Sequence, residues 1–187
     1  MVDAMTNISS QTETDLLVIR ARTEADALAQ LYELYYDRMF RFCLHRLFDR
    51  TIAQDVTSTV FLNVASQISR FNGETEEDFR NWLYAIASNH ANEYIRKTLR
   101  RKKLLAQAAV TINSVVTNDK GSAKLDWPTV YQAVLKLKPK EQTIVTLRFF
   151  ENLGFDRIAA ITNLKESSVR VTLHRSLKKL RNYLSRF

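Results

Sequence analysis

The sequence predicts an all-α protein that consists of two small helical domains joined by a flexible linker. Its 187 residues include only 3 Gly and 2 Pro, too few to mark the many turns of a chain rich in strands. Hydrophobic residues make up 45% of the chain, and most recur at spacings of three and four, the period of an amphipathic helix. Residues near 108–127 lose this period and gather Asn, Ser, Thr, Asp and Gly, as an interdomain linker does.

These patterns predict a disordered tail over 1–14, a front domain over 15–105, a linker over 106–127 and a rear domain over 128–187. The front domain begins with one amphipathic stripe that runs from Asp15 to Cys43. The further helices are expected at about 52–68, 78–100, 129–137, 140–150, 155–162 and 166–186.

Charge is distributed unevenly along the chain, whose net charge is +8. Residues 1–95 carry 8 basic and 14 acidic side chains, residues 96–127 carry 8 and 2, and residues 128–187 carry 12 and 4. A basic rear half suggests that this part of the protein faces a polyanion. A basic surface that merely faces solvent is the alternative.

Several functional classes are excluded by what the sequence lacks. Cys43 is the only cysteine, so we expect a packed thiol rather than a disulfide or a multi-cysteine zinc site. The first 15 residues do not resemble a secretory signal, and no apolar run is long enough to cross a bilayer, so we expect a cytoplasmic protein without membrane insertion. No phosphate-binding loop, HExxH motif or acidic metal cluster occurs, so we expect no catalytic residue, metal or cofactor.

A basic segment ends the last predicted helix of the front domain. Six of the eight residues from Arg96 to Lys103 are basic, and they repel one another unless a polyanion such as a phosphate backbone lies nearby. Asn89, Asn92 and Tyr94 lie just before this run. Amides that bond base edges and rings that stack on bases suit single-stranded or melted DNA. A solvated helix end is the alternative.

Residues 153–175 have the pattern of a helix-turn-helix motif. Ile158 and Ile161 are expected to face inward on the first helix, and Asn163 stands at a turn position that requires a positive φ. Val169 and Leu173 then anchor a second helix. Its outward residues are predicted to contact duplex DNA, with hydroxyls first and cations behind: Ser167, Ser168, Arg170, Thr172, His174, Arg175 and Lys178. A helical hairpin without a role in DNA binding is the alternative.

Together the two units resemble the sigma-70 family, and within it the sigma factors of the extracytoplasmic-function (ECF) type. The motif Ala53-Gln54-Asp55-Val56-Thr57-Ser58-Thr59-Val60-Phe61 is similar to part of the family's region 2, and so is the segment from Phe79 to Lys97. The segment from Leu137 to Arg181 is similar to region 4. The resemblance covers residues 26–103 and 130–184, with the two regions in the family's order.

The resemblance implies a sigma factor that directs core RNA polymerase to promoters. Region 2 would bind the clamp helices and melt the −10 element, region 4 would read the −35 element near the flap, and an anti-sigma factor would mask these surfaces. The residues implied to bind polymerase are Asp55, Val56, Thr59 and Phe61. A loop over 71–76 would capture a flipped base.

The same resemblance assigns −10 DNA to eight residues: Phe71, Asn72, Arg80, Asn89, Asn92, Arg96, Lys97 and Arg100. Three positions depart from the family pattern. Thr59 replaces an acidic residue, Lys165 stands where a serine usually caps the recognition helix, and Thr172 replaces a basic residue. The alternative function is a helix-turn-helix regulator that binds duplex DNA without joining polymerase.

Overall fold

The computed structural model describes residues 12–108 and 127–185, and the regular elements within these ranges are all helical. The front unit contains α1 (12–20), α2 (Ala25–Leu47), α3 (Arg50–Gln67), a 3-10 turn (Ile68–Arg70) and α4 (Glu76–Ala108). The rear unit contains α5 (Trp127–Leu135), α6 (Pro139–Phe149), α7 (Phe155–Thr162) and α8 (Glu166–Leu184). The predicted all-α class is confirmed, and the predicted helices agree with the observed ones except at their ends and in the first stripe.

The stripe predicted to be one helix from Asp15 to Cys43 divides into α1 and α2. The chain leaves the helix after residue 20 and is extended at Glu24 (φ −113°, ψ 119°). The predicted tail over 1–14 is too long by three residues, since 12–14 are already helical. Tertiary contacts hold α1 and the turn after it against the start of α4. Asp15 accepts a hydrogen bond from the backbone N–H of Glu76 (2.5 Å), and Arg22 donates to the Gly73 carbonyl.

The core of the front unit forms between α2, α3 and α4. Met39, Phe42, Phe79 and Leu83 are fully buried there, as the helical spacing predicted for the apolar stripes. Cys43 is buried with them, and burial raises the pKa of its thiol to about 11, so it is a packed thiol and not a reactive one.

The rear unit is the predicted helix-turn-helix with α5 and α6 packed behind it. Asn163 lies between α7 and α8 in the left-handed conformation (φ 51°, ψ 48°), as expected for the turn. The buried side chains that hold α6, α7 and α8 together are Ile144, Leu147, Ile158, Ile161, Val169 and Leu173. An ion pair between Lys179 on α8 and Glu141 on α6 (2.6 Å) adds to this packing.

The two units pack directly against each other. In this arrangement α6 contacts both α2 and α4, and α7 contacts α4. Residues at both ends of the predicted linker (106–127) are helical, since α4 continues to Ala108 and α5 begins at Trp127. The rest of that linker and most of the predicted tail lie outside the described residues.

Candidate nucleic-acid interface

The outer face of α8 presents the predicted duplex-reading residues. Six of the seven have exposed side chains, and Thr172 is half-buried. Lys165 is the N-cap residue of α8, and its side chain makes no capping hydrogen bond. The first backbone N–H groups of α8 therefore have no side-chain acceptor from the cap and point toward the space in front of the helix, where an anion is favoured.

Arg170 is held in place by two neighbours on this surface. Its guanidinium lies over the ring of Phe155 on α7, 4.1 Å from the ring centroid, and its Nε donates to Glu166 Oε1 at 3.0 Å. A cation over an aromatic ring with a carboxylate on its flank has fewer accessible rotamers than a free arginine. The geometry thus fixes the direction in which Arg170 extends from α8.

Four of the eight residues predicted to bind the −10 strand form an exposed strip on α4. Asn89, Arg96 and Arg100 are exposed and spaced by seven and four residues, so they lie on one side of the helix. Lys97 is also exposed and pairs with Glu93 at 2.7 Å. This pairing lowers the pKa of the Glu93 carboxyl, first through the hydrogen bond from Lys97.

Three of the other four side chains predicted to contact the strand are engaged inside the protein. Phe71 stacks on Trp82 with ring centroids 4.7 Å apart, and Arg80 forms a half-buried ion pair with Glu76 at 3.3 Å. Asn92 faces the rear unit, where its Oδ1 accepts a hydrogen bond from the hydroxyl of Thr143 (3.2 Å). The contacts of Phe71 and Asn92 arise from tertiary packing, which the local sequence pattern does not encode. The pair between Glu76 and Arg80 is four residues apart on α4, a spacing that the sequence does show.

The loop over 71–76 is held at one end by the stacking of Phe71 on Trp82 and at the other by hydrogen bonds to Asp78. Asn72 within this loop is exposed. Asp78 Oδ2 accepts hydrogen bonds from the Thr75 hydroxyl (2.8 Å) and from the backbone N–H groups of Glu74 and Thr75 (3.2 Å each). These bonds, led by the one from the Thr75 side chain, lower the pKa of Asp78. Gly73 is required here, because an added Cβ would lie 2.3 Å from the ring of Phe71 and 2.5 Å from the Cβ of Asp78.

Of the four residues on α3 that were predicted to bind polymerase, two are exposed and two are buried. Asp55 and Thr59 are exposed, but Val56 and Phe61 are 9% and 8% exposed and belong to the core of the front unit. Leu62, which was not predicted, is 72% exposed and lies on the same side of α3 as Asp55 and Thr59. A single exposed apolar side chain is common on protein surfaces, so Leu62 matters here only because it adjoins Asp55 and Thr59 on the same side of α3.

Two residues of the candidate interface were therefore missed. Glu166 is next to Lys165 and four residues before Arg170, a spacing that permits an ion pair on a helix, so this pair was visible in the sequence. Leu62 gave no such signal: the period of α3 puts Phe61 on the inner face and Leu62 outside it, but a single outward leucine does not mark a site.

Within the described ranges, no helix is long and apolar enough to cross a membrane. The same part of the chain contains no group of three or more His, Cys, Asp or Glu side chains that could hold a metal ion. The candidate interface accordingly consists of amide, hydroxyl and cationic groups.

Comparison with known proteins supports the same division of the chain. Residues 31–101 match the family model for sigma-70 region 2, and residues 129–180 match the model for sigma-70 region 4. Similar curated proteins include the ECF RNA polymerase sigma factors BldN of Streptomyces coelicolor and SigW of Bacillus subtilis. BldN is 29% identical over 90% of this chain and 64% of its own length, and SigW is 26% identical over 86% of this chain and 90% of its own length.

Solved structures of sigma factors have the same fold. CnrH, in complex with the cytosolic domain of CnrY, matches 91% of this chain and 96% of its own with a TM-score of 0.65 at 17% identity. RpoE of Bartonella quintana, in complex with the anti-sigma factor NepR, matches 84% of this chain and 96% of its own with a TM-score of 0.61 at 18% identity. With both regions matched in order, the chain belongs to the sigma-70 family and is an RNA polymerase sigma factor of the ECF type.

Proposed function

We propose that this chain directs core RNA polymerase to promoters, with the front unit melting the −10 element and the rear unit reading the −35 element. The observation that carries this proposal is the presence of two separate cationic surfaces of different chemistry on one chain. The surface on α8 presents hydroxyls and cations on a helix-turn-helix, and the strip on α4 presents an amide followed by cations. The first suits a duplex and the second suits a single strand.

The rear unit reads the duplex through the beginning of α8. Ser167 and Ser168 are in its first turn, where their hydroxyls can form hydrogen bonds with base edges. Arg170 extends in the direction set by Phe155 and Glu166. His174, Arg175 and Lys178 lie farther along the helix and contact the phosphate backbone. Thr172, which is half-buried, contributes less to binding than the exposed residues.

The front unit holds the melted strand along the exposed strip of α4, through Asn89, Arg96, Lys97 and Arg100. The fixed loop over 71–76 takes up a flipped base beside Asn72, and we propose that Phe71 and Arg80 shape this loop rather than bind the base first. Because the loop is already ordered by Asp78, little entropy is lost when the base binds.

Core polymerase binds the front unit through the exposed residues Asp55, Thr59 and Leu62 on α3, against the clamp helices, and binds the rear unit at the flap. Val56 and Phe61 support this surface from inside the core. The chain acts in the cytoplasm with the polymerase and supplies recognition, not catalytic groups. Similar sigma factors have been solved in complex with NepR, an anti-sigma factor, and with CnrY, which supports the proposal that an anti-sigma factor also binds this chain.

Co-purification with core polymerase, followed by mapping of transcript 5′ ends, tests the proposed function. We expect the wild-type chain to bind core polymerase and to produce transcripts that start downstream of one shared promoter motif. Leu62→Asp should weaken binding at least about ten-fold, since it puts a charge in an apolar contact. Leu16→Asp is the matched control, because Leu16 is also more than half exposed but lies on α1, outside the matched regions. A chain that binds duplex DNA but never starts transcription would be a regulator instead.

A further inference from the structure

We propose that the apolar cavity between the end of α2 and the helices α5, α6 and α8 binds a small, uncharged aromatic molecule with two fused rings. The cavity has a volume of about 260 Å³. None of the described residues that line it belongs to the surfaces predicted to bind DNA or polymerase. The cavity is therefore a separate feature, and its occupancy does not depend on the proposed function.

Apolar side chains from three helices of the rear unit form the walls of the cavity. Each helix contributes a pair three or four residues apart, which puts the pair on one side of its helix. The pairs are Val130 and Val134 on α5, Val145 and Phe149 on α6, and Leu177 and Leu180 on α8. Both α5 and α6 pack on α8. Because the valine side chains are short, they leave a gap where the three helices meet.

The end of α2 closes the cavity on the side of the front unit. The ring of His45 lies 4.3 Å from that of Phe150, and the ring of Phe48 lies 4.1 Å from that of Tyr131, between centroids. Phe48 is the C-cap residue of α2 and has a left-handed backbone (φ 56°, ψ 23°), which bulky residues rarely adopt. Glycine or asparagine usually takes this place, so the phenylalanine is kept at a conformational cost that its ring in the cavity wall can explain.

Aromatic rings make up nearly half of the lining. They belong to His45, Phe48, Tyr131, Phe149 and Phe150. The face of an aromatic ring is partly negative and its edge partly positive, so rings attract one another in offset or edge-to-face arrangements. A saturated ring of the same size lacks this attraction. The walls therefore favour an aromatic ligand over an aliphatic one.

The cavity carries no charge at neutral pH. His45 is the one lining residue that could become charged near neutral pH, and burial lowers its pKa from the usual value near 6.5. Its ring is therefore neutral at pH 7. An ionised ligand would lose its hydration in this site and gain no charged partner. Carboxylates, phosphates and amines are accordingly disfavoured, and uncharged molecules are preferred.

The volume of the cavity sets the size of the ligand. An apolar cavity of about 150 Å³ stays dry and binds benzene. A volume of about 260 Å³ leaves room for a second fused ring. One turn of an α-helix, about 5.4 Å long and about 10–12 Å across, needs more than about 400 Å³. The cavity therefore suits a small molecule and is too small for a helix of a partner protein.

The end of α6 gives a ligand access to the cavity from solvent. Phe149 is the last residue of α6 and Phe150 follows it, and the two are 57% and 40% exposed. Adjacent residues at a helix end point about 100° apart, so the core cannot take up both rings. Both rings line the cavity. A bound ligand covers part of this exposed aromatic surface, and that burial favours binding.

Isothermal titration calorimetry with indole tests the site in the full-length chain, without DNA or polymerase. Indole has two fused rings and no charge. We expect one bound molecule per chain with a Kd between about 10 µM and about 1 mM, the range for a ligand of about nine non-hydrogen atoms. Indole-3-carboxylate, which adds a charge to the same rings, should bind at least about ten-fold more weakly.

The absence of indole binding up to about 10 mM would overturn the proposal. The cavity would then be filled by another part of the chain or closed in solution. Indole and its carboxylate binding equally well would overturn it too, since the walls would then not select an uncharged ligand.

The three histidines of the chain locate the bound indole. Proton NMR resolves their ring signals, and a bound aromatic molecule shifts the signals of a ring beside it. We expect saturating indole to shift the signals of His45, which lines the cavity, and to leave those of His90 and His174 in place. His45→Gln assigns the signals by removing one set. Shifts at His90 or His174 without a shift at His45 would put indole elsewhere and contradict the proposal.

Val134→Phe fills the cavity from α5, and Val171→Phe is the matched control. Val134 is half-buried in the cavity wall, whereas Val171 lies on α8, is 48% exposed and does not line the cavity. We expect Val134→Phe to weaken indole binding at least about ten-fold, because its ring takes the place of the ligand, and the control to keep the wild-type Kd. Circular dichroism shows whether each variant folds.

Phe149→Ala provides a second variant at a site where the fold is not at risk, because this ring is more than half exposed. Removing the ring should weaken indole binding about two- to ten-fold. Tyr32→Ala is its control, since Tyr32 is 43% exposed but packs on Phe61, away from the cavity. If folded Val134→Phe and Phe149→Ala chains both keep the wild-type Kd, the proposal is wrong, whatever run-off transcription shows.

Discussion

At the scale of the residue, Arg170 shows how a side chain is prepared for recognition before its ligand arrives. Phe155 supports one face of the guanidinium and Glu166 binds its edge. An arginine constrained in this way loses less rotamer freedom on binding than a free one, and its direction is already set. Arg170 is therefore the residue of α8 that we expect to contribute most to reading the duplex.

Arg170→Ala should weaken binding to a duplex that contains the −35 element by about 1–3 kcal/mol, and it should reduce discrimination at one base pair. Fluorescence anisotropy with matched and single-substituted duplexes measures both effects. Arg20→Ala is the control: Arg20 also pairs with a glutamate four residues away, and its side chain is 52% exposed compared with 57% for Arg170, but it lies on α1. Similar losses for the two variants would show that only net charge matters.

His45 makes stability depend on pH. Burial lowers its pKa from the usual value near 6.5; nearby Glu151 raises it in part, and Arg41 lowers it further. A histidine whose pKa is lowered in the folded chain stabilises that chain fully above pH 6.5, and this contribution is lost as the pH falls below that value.

We therefore expect the free energy of unfolding to fall between about pH 7.5 and about pH 5.5, and His45→Phe to lose less over this range. Urea unfolding at the two pH values gives the difference. His174→Phe, at an exposed position of α8, is the control and should retain the wild-type loss. If His45→Phe loses as much stability as the wild type, the titration of other groups accounts for the effect.

Local sequence patterns anticipated the structural role of several individual residues. The left-handed Asn163, the buried Cys43 and the uncapped Lys165 follow from local chemistry, and the structure confirms all three. Val56 and Phe61 were expected at a partner surface but are buried. Their burial agrees with the helical period of α3, whereas their place at a partner surface was implied only by the family resemblance.

At the scale of the element, α8 begins with an unfavourable residue. Lys165 puts a positive charge at the positive end of the helix and provides no acceptor for its first N–H groups. By contrast, Asp49 at the start of α3 accepts a hydrogen bond from the Ile52 N–H at 3.0 Å. A lysine in that place is consistent with the proposed role, because a phosphate can provide the missing acceptor and bind the lysine as well.

Lys165→Ser should stabilise the chain by about 0.5–1 kcal/mol, because the serine hydroxyl can cap α8. Thermal unfolding measures this gain. Lys165→Ala, which removes the charge without adding an acceptor, should gain less than the serine variant. Equal gains would mean that the charge, not the missing cap, weakens the beginning of α8.

The helix α4 has two faces with different roles. Its buried face includes Phe79 and Leu83 and belongs to the core, and its exposed face includes Asn89 and Arg96. The sequence predicted this helix over 78–100, and the structure extends it to Glu76–Ala108. The end predicted at residue 100 came too early, because the basic residues in the second half of the helix have no apolar period.

Asn89→Ala should impair transcription from a duplex promoter about ten-fold or more, yet lose much less on a template whose −10 region is already unpaired. The reason is that the strip on α4 is proposed to stabilise the melted strand. Arg170→Ala should be equally defective on both templates, since it acts on the duplex. Equal defects of Asn89→Ala on the two templates would contradict a role in melting.

At the scale of the whole molecule, the sequence predicted two units but not how they contact each other. A buried hydrogen-bond cluster joins Arg46 to Asn92, 46 residues along the chain, and to Gln142, 96 residues along, and the three follow no shared motif. Each of them is also a residue type that is commonly exposed. Only the packed structure shows that these three side chains are in contact, so the packing of the front unit against the rear unit could not be derived from periodicity or composition.

Run-off transcription distinguishes a sigma factor from a protein that only binds DNA. Core polymerase is incubated with a linear promoter template, with and without the chain. If the chain is a sigma factor, specific transcripts appear only when it is present, and they decrease when either the −10 or the −35 element is scrambled. If the chain binds the template tightly but adds no specific transcript, the two cationic surfaces serve another purpose and the chain does not initiate transcription.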